Sequence, residues 1–207
     1  MTLIDISPFI DASIAVWPGD TPFVHTFNMD IGMGANITLS DIHTSVHVGA
    51  HADAPSHYIG DGEDIAERRL DFYIGRCVVL NVDVEPGERI YPVDLAAKVI
   101  SAPRVLLRTN TFPDPYNWNN DFASLSPELV HFLYQHGVIL IGIDTPSADP
   151  FDSKALEAHK AFAENDMAIL EGLVLAGVPE GEYELIAPPL RIRGADASPV
   201  RAVLRTL

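Results

Sequence analysis

The segment Ser126-Pro-Glu-Leu-Val-His-Phe-Leu-Tyr-Gln-His-Gly-Val-Ile-Leu-Ile-Gly-Ile-Asp144 decides how this chain is built. Ser126 before Pro127 is a good helix start and Gly137 a good stop, so a helix is predicted over 127–136. The apolar run that follows, 138–144, reads as a strand. Upstream the same alternation appears as a strand at 76–84, a helix at about 92–100 and a strand at 104–109. Strand–helix–strand connections of this kind need crossovers, which make the sheet they feed largely parallel and buried. Residues 3–53 follow another regime. Short strand-like runs at Leu3–Ile6, Phe23–Met29, Asn36–Ile42 and Thr44–Val48 are divided by Pro18-Gly-Asp-Thr-Pro22 and Gly32-Met-Gly34, a pattern suited to antiparallel pairing. Two more strands, at 182–186 and 200–206, close the chain. The expected fold is α/β, a single mixed domain over 1–207 with a strongly curved, barrel-like sheet and helices packed outside.

Composition narrows the partners. A chain of 207 residues without repeats or linkers is one medium domain with a substantial core. Its 13 basic and 29 acidic residues give a net charge of −16, the wrong sign for nucleic acid or an anionic membrane and a sign suited to holding cations. The N-terminus lacks the basic and apolar regions of a secretory signal, and no run reaches membrane-spanning length, so a cytoplasmic protein is expected. Cys77 is the only cysteine, which rules out intramolecular disulfides. Set in Arg76-Cys-Val-Val-Leu80, it reads as a buried structural thiol.

Four of the eight histidines, His43, His47, His51 and His57, fall within Ser45-Val-His-Val-Gly-Ala-His-Ala-Asp-Ala-Pro-Ser-His-Tyr58 and the residues just before it. Imidazole is the commonest protein ligand for transition metals, and a carboxylate among imidazoles completes a nitrogen/oxygen site. In an extended chain His47, Gly49, His51 and Asp53 project to one side, with Gly49 leaving room between the ligands. A helix would still bring His47 and His51 together but would turn Asp53 away, and Gly49 and Pro55 oppose one. A single histidine pair at this spacing is usually coincidence. Two histidines and an aspartate on one face, beside another histidine, favour a metal site. Pro55 then turns the chain and leaves His57 over that wall as a separate proton-transfer group.

Further ligands lie downstream. Ser153 is expected to cap a helix running to about Glu164, stopped at Asn165, with His159 on its inward face. Glu171 is the only charge in Met167-Ala-Ile-Leu-Glu-Gly-Leu-Val-Leu175, and a charge inside such a run is seldom buried unless paired or metal-bound. His47, His51, Asp53, His159 and Glu171 make five ligands, one more than a closed tetrahedral zinc accepts. Two ions bridged by carboxylates resolve that count, with zinc the best fit to the donors and manganese the alternative.

The pattern His47-x-Gly49-x-His51-x-Asp53-x-Pro55-x-His57 resembles the core motif of the cyclase superfamily of metal-dependent hydrolases. Ala50 stands where that family usually has threonine, on the face away from the ligands. With Val16-Trp-Pro-Gly-Asp-Thr21, Gly142-Ile-Asp-Thr-Pro-Ser-Ala-Asp-Pro-Phe-Asp-Ser153 and the His159/Glu171 pair, the chain is similar to the bacterial kynurenine formamidase branch. The resemblance implies a swivelling β/β/α architecture and two ions, the first on His47 and His51, the second on His159, with Asp53 and Glu171 touching both. It also implies hydrolysis of N-formyl-L-kynurenine to L-kynurenine and formate, with His57 protonating the departing aryl amine. Trp17 is the best candidate for the flat wall against the substrate ring, whereas Trp118 reads as surface or subunit contact. Isatin or another small cyclic amide is the alternative substrate, and a metal-binding module without turnover the alternative class. Apolar residues in the N-terminal turns, including Phe9, Trp17 and Phe23, together with the resemblance, point to a homodimer.

Overall fold

The computed structural model describes residues 1–207. In chain order the strands are β1 (Leu3–Asp5), β2 (Val24–Met29), β3 (Leu39–His43), β4 (His51–Asp53), β5 (Ile74–Asn81), β6 (Arg89–Ile90), β7 (Arg104–Arg108) and β8 (Ser124–Leu125). Helix α1 (Pro127–Gln135) leads into β9 (Leu140–Ile143), and α2 (Glu157–Glu164) into β10 (Ala168–Glu171). Strands β11 (Gly181–Ile186), β12 (Ala197–Pro199) and β13 (Val203–Thr206) complete the chain.

Nine strands form one strongly curled sheet in the order β1-β13-β11-β5-β7-β9-β10-β4-β12. Its centre, β5-β7-β9-β10, is parallel, as the strand–helix alternation demands, and the flanks are antiparallel. Side chains on the central strands alternate between two cores. Val105, Leu107, Ile141, Ile143 and Ile169 pack under α1 and α2, while Leu106, Leu140 and Leu170 point into the curl. Each such leucine or isoleucine contributes about 1.5–3 kcal/mol by leaving water. The curved sheet with outer helices expected from the sequence is therefore observed. No helix is long and apolar enough to cross a membrane.

Helix α1 begins where Ser126 Oγ accepts the Leu129 N–H at 3.1 Å, and Gly137 follows it at φ +80°. Three local expectations fail. The helix at 92–100 is only a short 3₁₀ turn, Pro92–Leu95. Val93 and Val99 are exposed and Leu95 alone is fully buried there, so no continuous apolar stripe sustains a longer helix. The helix expected to be capped by Ser153 has its N-cap position at Leu156, three residues later, because Ser153 Oγ instead accepts the Leu156 N–H of a tight loop whose Leu156 lies at φ +49°. Residues 44–48 are not a strand. The chain turns there, with Ser45 Oγ accepting the His47 N–H at 3.2 Å.

Strands β2 and β3 pair only with each other, and every one of their residues is exposed. Phe27, Leu39 and Ile42 are at least half accessible, and Met33 at the tip is 88% so.

Candidate metal centre and aromatic cavity

Strand β4 sits between β10 and β12, and its register sets the site. His51 lies directly opposite Glu171, and Asp53 opposite Ile169 on one side and Ala197 on the other. Both His51 and Asp53 face the same way, as an extended chain requires, and the methyl of Ala50 goes into the core. His47 joins them by another route than the one expected. It does not stand on an extended run; it arrives on a turn closed by Gly49 at φ +62°, and its Nδ1 lies 3.0 Å from Asp53 Oδ1. Gly49 is thus needed for its backbone conformation. Its carbonyl also accepts the Nδ1–H of His51 at 2.9 Å, which leaves His51 Nε2 facing Glu171 Oε2 at 3.2 Å and Asp53 Oδ1 at 3.4 Å.

The other side comes from α2. His159 Nε2 lies 3.4 Å from Asp53 Oδ2 and 3.4 Å from Glu171 Oε1. Its Nδ1–H is held by Asp149 Oδ2 at 2.8 Å, and the same carboxylate accepts the backbone N–H groups of Ala158 and His159 in the first turn of the helix. Asp149 is fully buried; it lies within the Gly142–Ser153 stretch that carries the resemblance, but the sequence alone gives it no role. The backbone of Ala148 donates to Glu171 Oε1 at 2.6 Å.

All five residues expected to bind metal are therefore brought together, as two groups that share Asp53: His47, His51 and Asp53, and Asp53, His159 and Glu171. In each group the ligand atoms lie within 4.8 Å of one another. The donor set suits divalent transition metals. Asp53 Oδ1 is buried in the middle of it, 3.0 Å from His47 Nδ1 and 3.4 Å from His51 Nε2 but with no well-aligned hydrogen bond, a position that a cation between these atoms would satisfy. Electrostatics point the same way. Burial opposes charge on Asp53, yet the His47, His159 and His51 imidazoles hold it well below the usual carboxylate range. Burial and Asp53 would raise Glu171, but His159 and His51 keep it low. Burial would lower His47 and His159, but Asp53 and Asp196 raise His47 to about 9, and Asp149, Asp53 and Glu171 raise His159. Without ions the cluster retains protons in their place.

His57 lies exposed at the rim in the 3₁₀ turn Pro55–His57, its ring 4.3 Å from that of His47, and with His47 and Asp196 it forms a third group whose possible ligand atoms lie within 4.8 Å of one another. Beside the cluster opens a cavity of about 330 Å³ lined by Trp17, Phe112, Trp118 and Asn110 as well as the histidines. Trp17 lies 5.0 Å from Phe151 and edge-on to Trp118 at 5.3 Å between ring centres. Trp118, expected at the surface, is thus a cavity wall; in sequence its polar neighbours hid this. Asn110, held at φ +56°, enters the lining because Asp144 accepts its backbone N–H at 2.9 Å.

The chain is similar to known proteins along nearly its whole length. The family model described as "Putative cyclase" matches residues 4–150, and the chain belongs to that Cyclase family. A solved structure described as a potential metal-dependent hydrolase with cyclase activity is 25% identical, with a TM-score of 0.84 over 98% of this chain and 96% of that one. A "predicted metal-dependent hydrolase" from Bacillus stearothermophilus is 26% identical, with a TM-score of 0.83 over 98% and 97% of the two chains. Isatin hydrolase A from Labrenzia aggregata shares the fold, at 22% identity and a TM-score of 0.82 over 98% and 93%.

Proposed function

We propose that this protein is a metal-dependent amidohydrolase that cleaves N-formyl-L-kynurenine to L-kynurenine and formate. The observation that carries the reading is the pair of buried histidine–carboxylate groups sharing Asp53 at the floor of an aromatic cavity. His47 and His51 would hold one divalent ion and His159 the second, with Asp53 and Glu171 serving both. Zinc suits these donors best, and manganese is the alternative. Bound there, the ions supply an activated water nucleophile near neutral pH and Lewis acidity toward the acceptor carbonyl. The chain's own residues do the rest. Trp17 and Trp118 offer flat walls to an aryl ring, and the cavity volume falls in the range of small-molecule sites. His57, not one of the five residues assigned to the ions, delivers the proton with which the aryl amine departs as its C–N bond to the formyl carbon breaks. Two such protomers would associate through the exposed β2–β3 hairpin, whose apolar residues are otherwise uncovered.

One observation favours a second reading. No lysine or arginine lines the cavity, so a neutral cyclic aryl amide such as isatin fits it without leaving a carboxylate unpaired. The test is hydrolysis of N-formyl-L-kynurenine and of isatin side by side, each with and without a chelator. Chelator-sensitive release of kynurenine at a kcat/KM well above that for isatin supports the first reading. The reverse preference selects the second, and turnover of neither overturns both.

A further inference from the structure

Asp196 lies outside every motif of the sequence, just ahead of β12, yet its Oδ2 meets two imidazoles at once. His47 Nε2 is 3.0 Å away and His57 Nδ1 is 3.2 Å away. The carboxylate pairs with no lysine or arginine. Its position is set by sheet register: the Asp196 carbonyl accepts the Ala54 N–H at 2.9 Å, immediately before the turn that carries His57, and the next residue, Ala197, pairs with Asp53. On the other side, Ala195 accepts the Ile65 N–H at 3.0 Å and Gly194 donates to Asp64.

An ionised carboxylate only accepts hydrogen bonds, so each ring nitrogen facing it must carry a proton. For His57 that fixes hydrogen on Nδ1 and leaves Nε2 as the second ring nitrogen for exchange. For His47 it keeps hydrogen on Nε2, while Nδ1 faces Asp53 at 3.0 Å, where a bound cation would take the place of the proton. Which nitrogen of an imidazole is available is set by the bond that the other one makes. We propose that Asp196 is a positioning residue that selects the tautomers of both rings, so that one carboxylate ties a metal ligand to the proton-transfer group. This inference rests on the hydrolase reading above for its kinetic consequence, though not for its structural one.

The experiment compares wild type, D196N and D196A, each loaded with zinc and labelled with ¹⁵N-histidine, by two-bond ¹⁵N–¹H correlation spectra together with steady-state kinetics. Asparagine keeps an acceptor oxygen; alanine removes it. In wild type and D196N, His57 should carry its proton on Nδ1, and in D196A it should move toward the Nε2–H form. With alanine, kcat on the better substrate should fall about 10–100-fold while KM changes less than about threefold, and D196N should recover most of the loss. D196S, whose side chain is too short to span both contacts, replaces D196A should the latter not fold. An unchanged His57 tautomer in the variant lacking the acceptor, or an equal kcat loss in D196N and D196A, overturns the proposal. Absence of turnover in wild type counts against the hydrolase reading alone, because the tautomer spectra still decide the role of Asp196.

Discussion

Asp149 grips His159 twice: Oδ2 accepts the Nδ1–H of the ring at 2.8 Å and the backbone N–H of the same residue at 3.1 Å. With Ala158 N–H on Oδ1, this buried carboxylate serves as the N-terminal cap that α2 lacks at Leu156 and also orients a candidate ligand. Asp149→Ala should cost about 1–3 kcal/mol in chemical denaturation, the range for leaving buried donors unpaired. It should also weaken zinc binding about 10–100-fold in chelator competition. Unchanged zinc affinity would reduce Asp149 to a cap.

Elemental analysis of the purified protein should find about two divalent ions per chain, and fewer in Glu171→Gln, which loses the charge that touches both groups. Uptake should depend on pH in a particular direction. His47 holds a proton up to about pH 9, because Asp53 and Asp196 outweigh the burial that would release it. A cation must displace that proton, so zinc affinity should keep rising from pH 6.5 to about 9 and then level off. In the metal-free protein the same group stabilises the fold fully below its unfolded value near 6.5, and that contribution is lost as pH rises through about 9. Affinity that levels off by pH 7 would contradict this.

His57→Ala should keep both ions and near-normal KM while kcat falls by about 10²–10⁴-fold, the usual contribution of a positioned acid or base. The loss should shrink for formyl esters of acidic phenols, whose leaving groups need no proton. His51→Ala should lose metal and activity together. A missing ion in His57→Ala would make His57 a ligand.

Trp17→Ala and Trp118→Ala should each raise KM for the aryl substrate by about 1–2 kcal/mol of lost aromatic contact. The two rings meet edge-on at 5.3 Å, so the double variant should lose less than the sum of the singles. Both effects should vanish on plain formamide. Equal losses with and without the ring would assign the pair to structure.

Gly172 sits at φ +65° with its backbone against Gly49, and a β-carbon there would fall on the Gly49 carbonyl oxygen. That oxygen orients His51. Gly172→Ala should therefore lower the thermal midpoint and, unlike an ordinary surface substitution, reduce metal content as well.

What could be read from the sequence followed how local the cause was. Ser126, Pro127 and Gly137 bracket α1 because caps act within one turn, and the central strands were legible because burial on both faces leaves an apolar run. The five residues that gather at the candidate metal centre were legible by type and spacing, even though His47 reaches its place on a turn and not on a strand. Asp149 and Asp196 were not, since their partners depend on how α2 and β12 dock, and nothing adjacent in sequence announces a carboxylate that serves a distant ring. The turn at Pro92 misled because its apolar residues match a helical pattern that the fold leaves in water.

His51 and Glu171 are cross-strand neighbours, yet more than half the chain separates them. Closing so long a loop is entropically costly, and native pairings of this kind form late and slowly. During refolding, the parallel centre and its helices have local and crossover contacts to build on, whereas β4 must wait for β10. A metal probe should therefore report on the last step of folding. Zinc added at the start of refolding would meet His47, His51 and Asp53 within seven residues of one another, but the group of Asp53, His159 and Glu171 would take up its ion only once that long-range pairing is made.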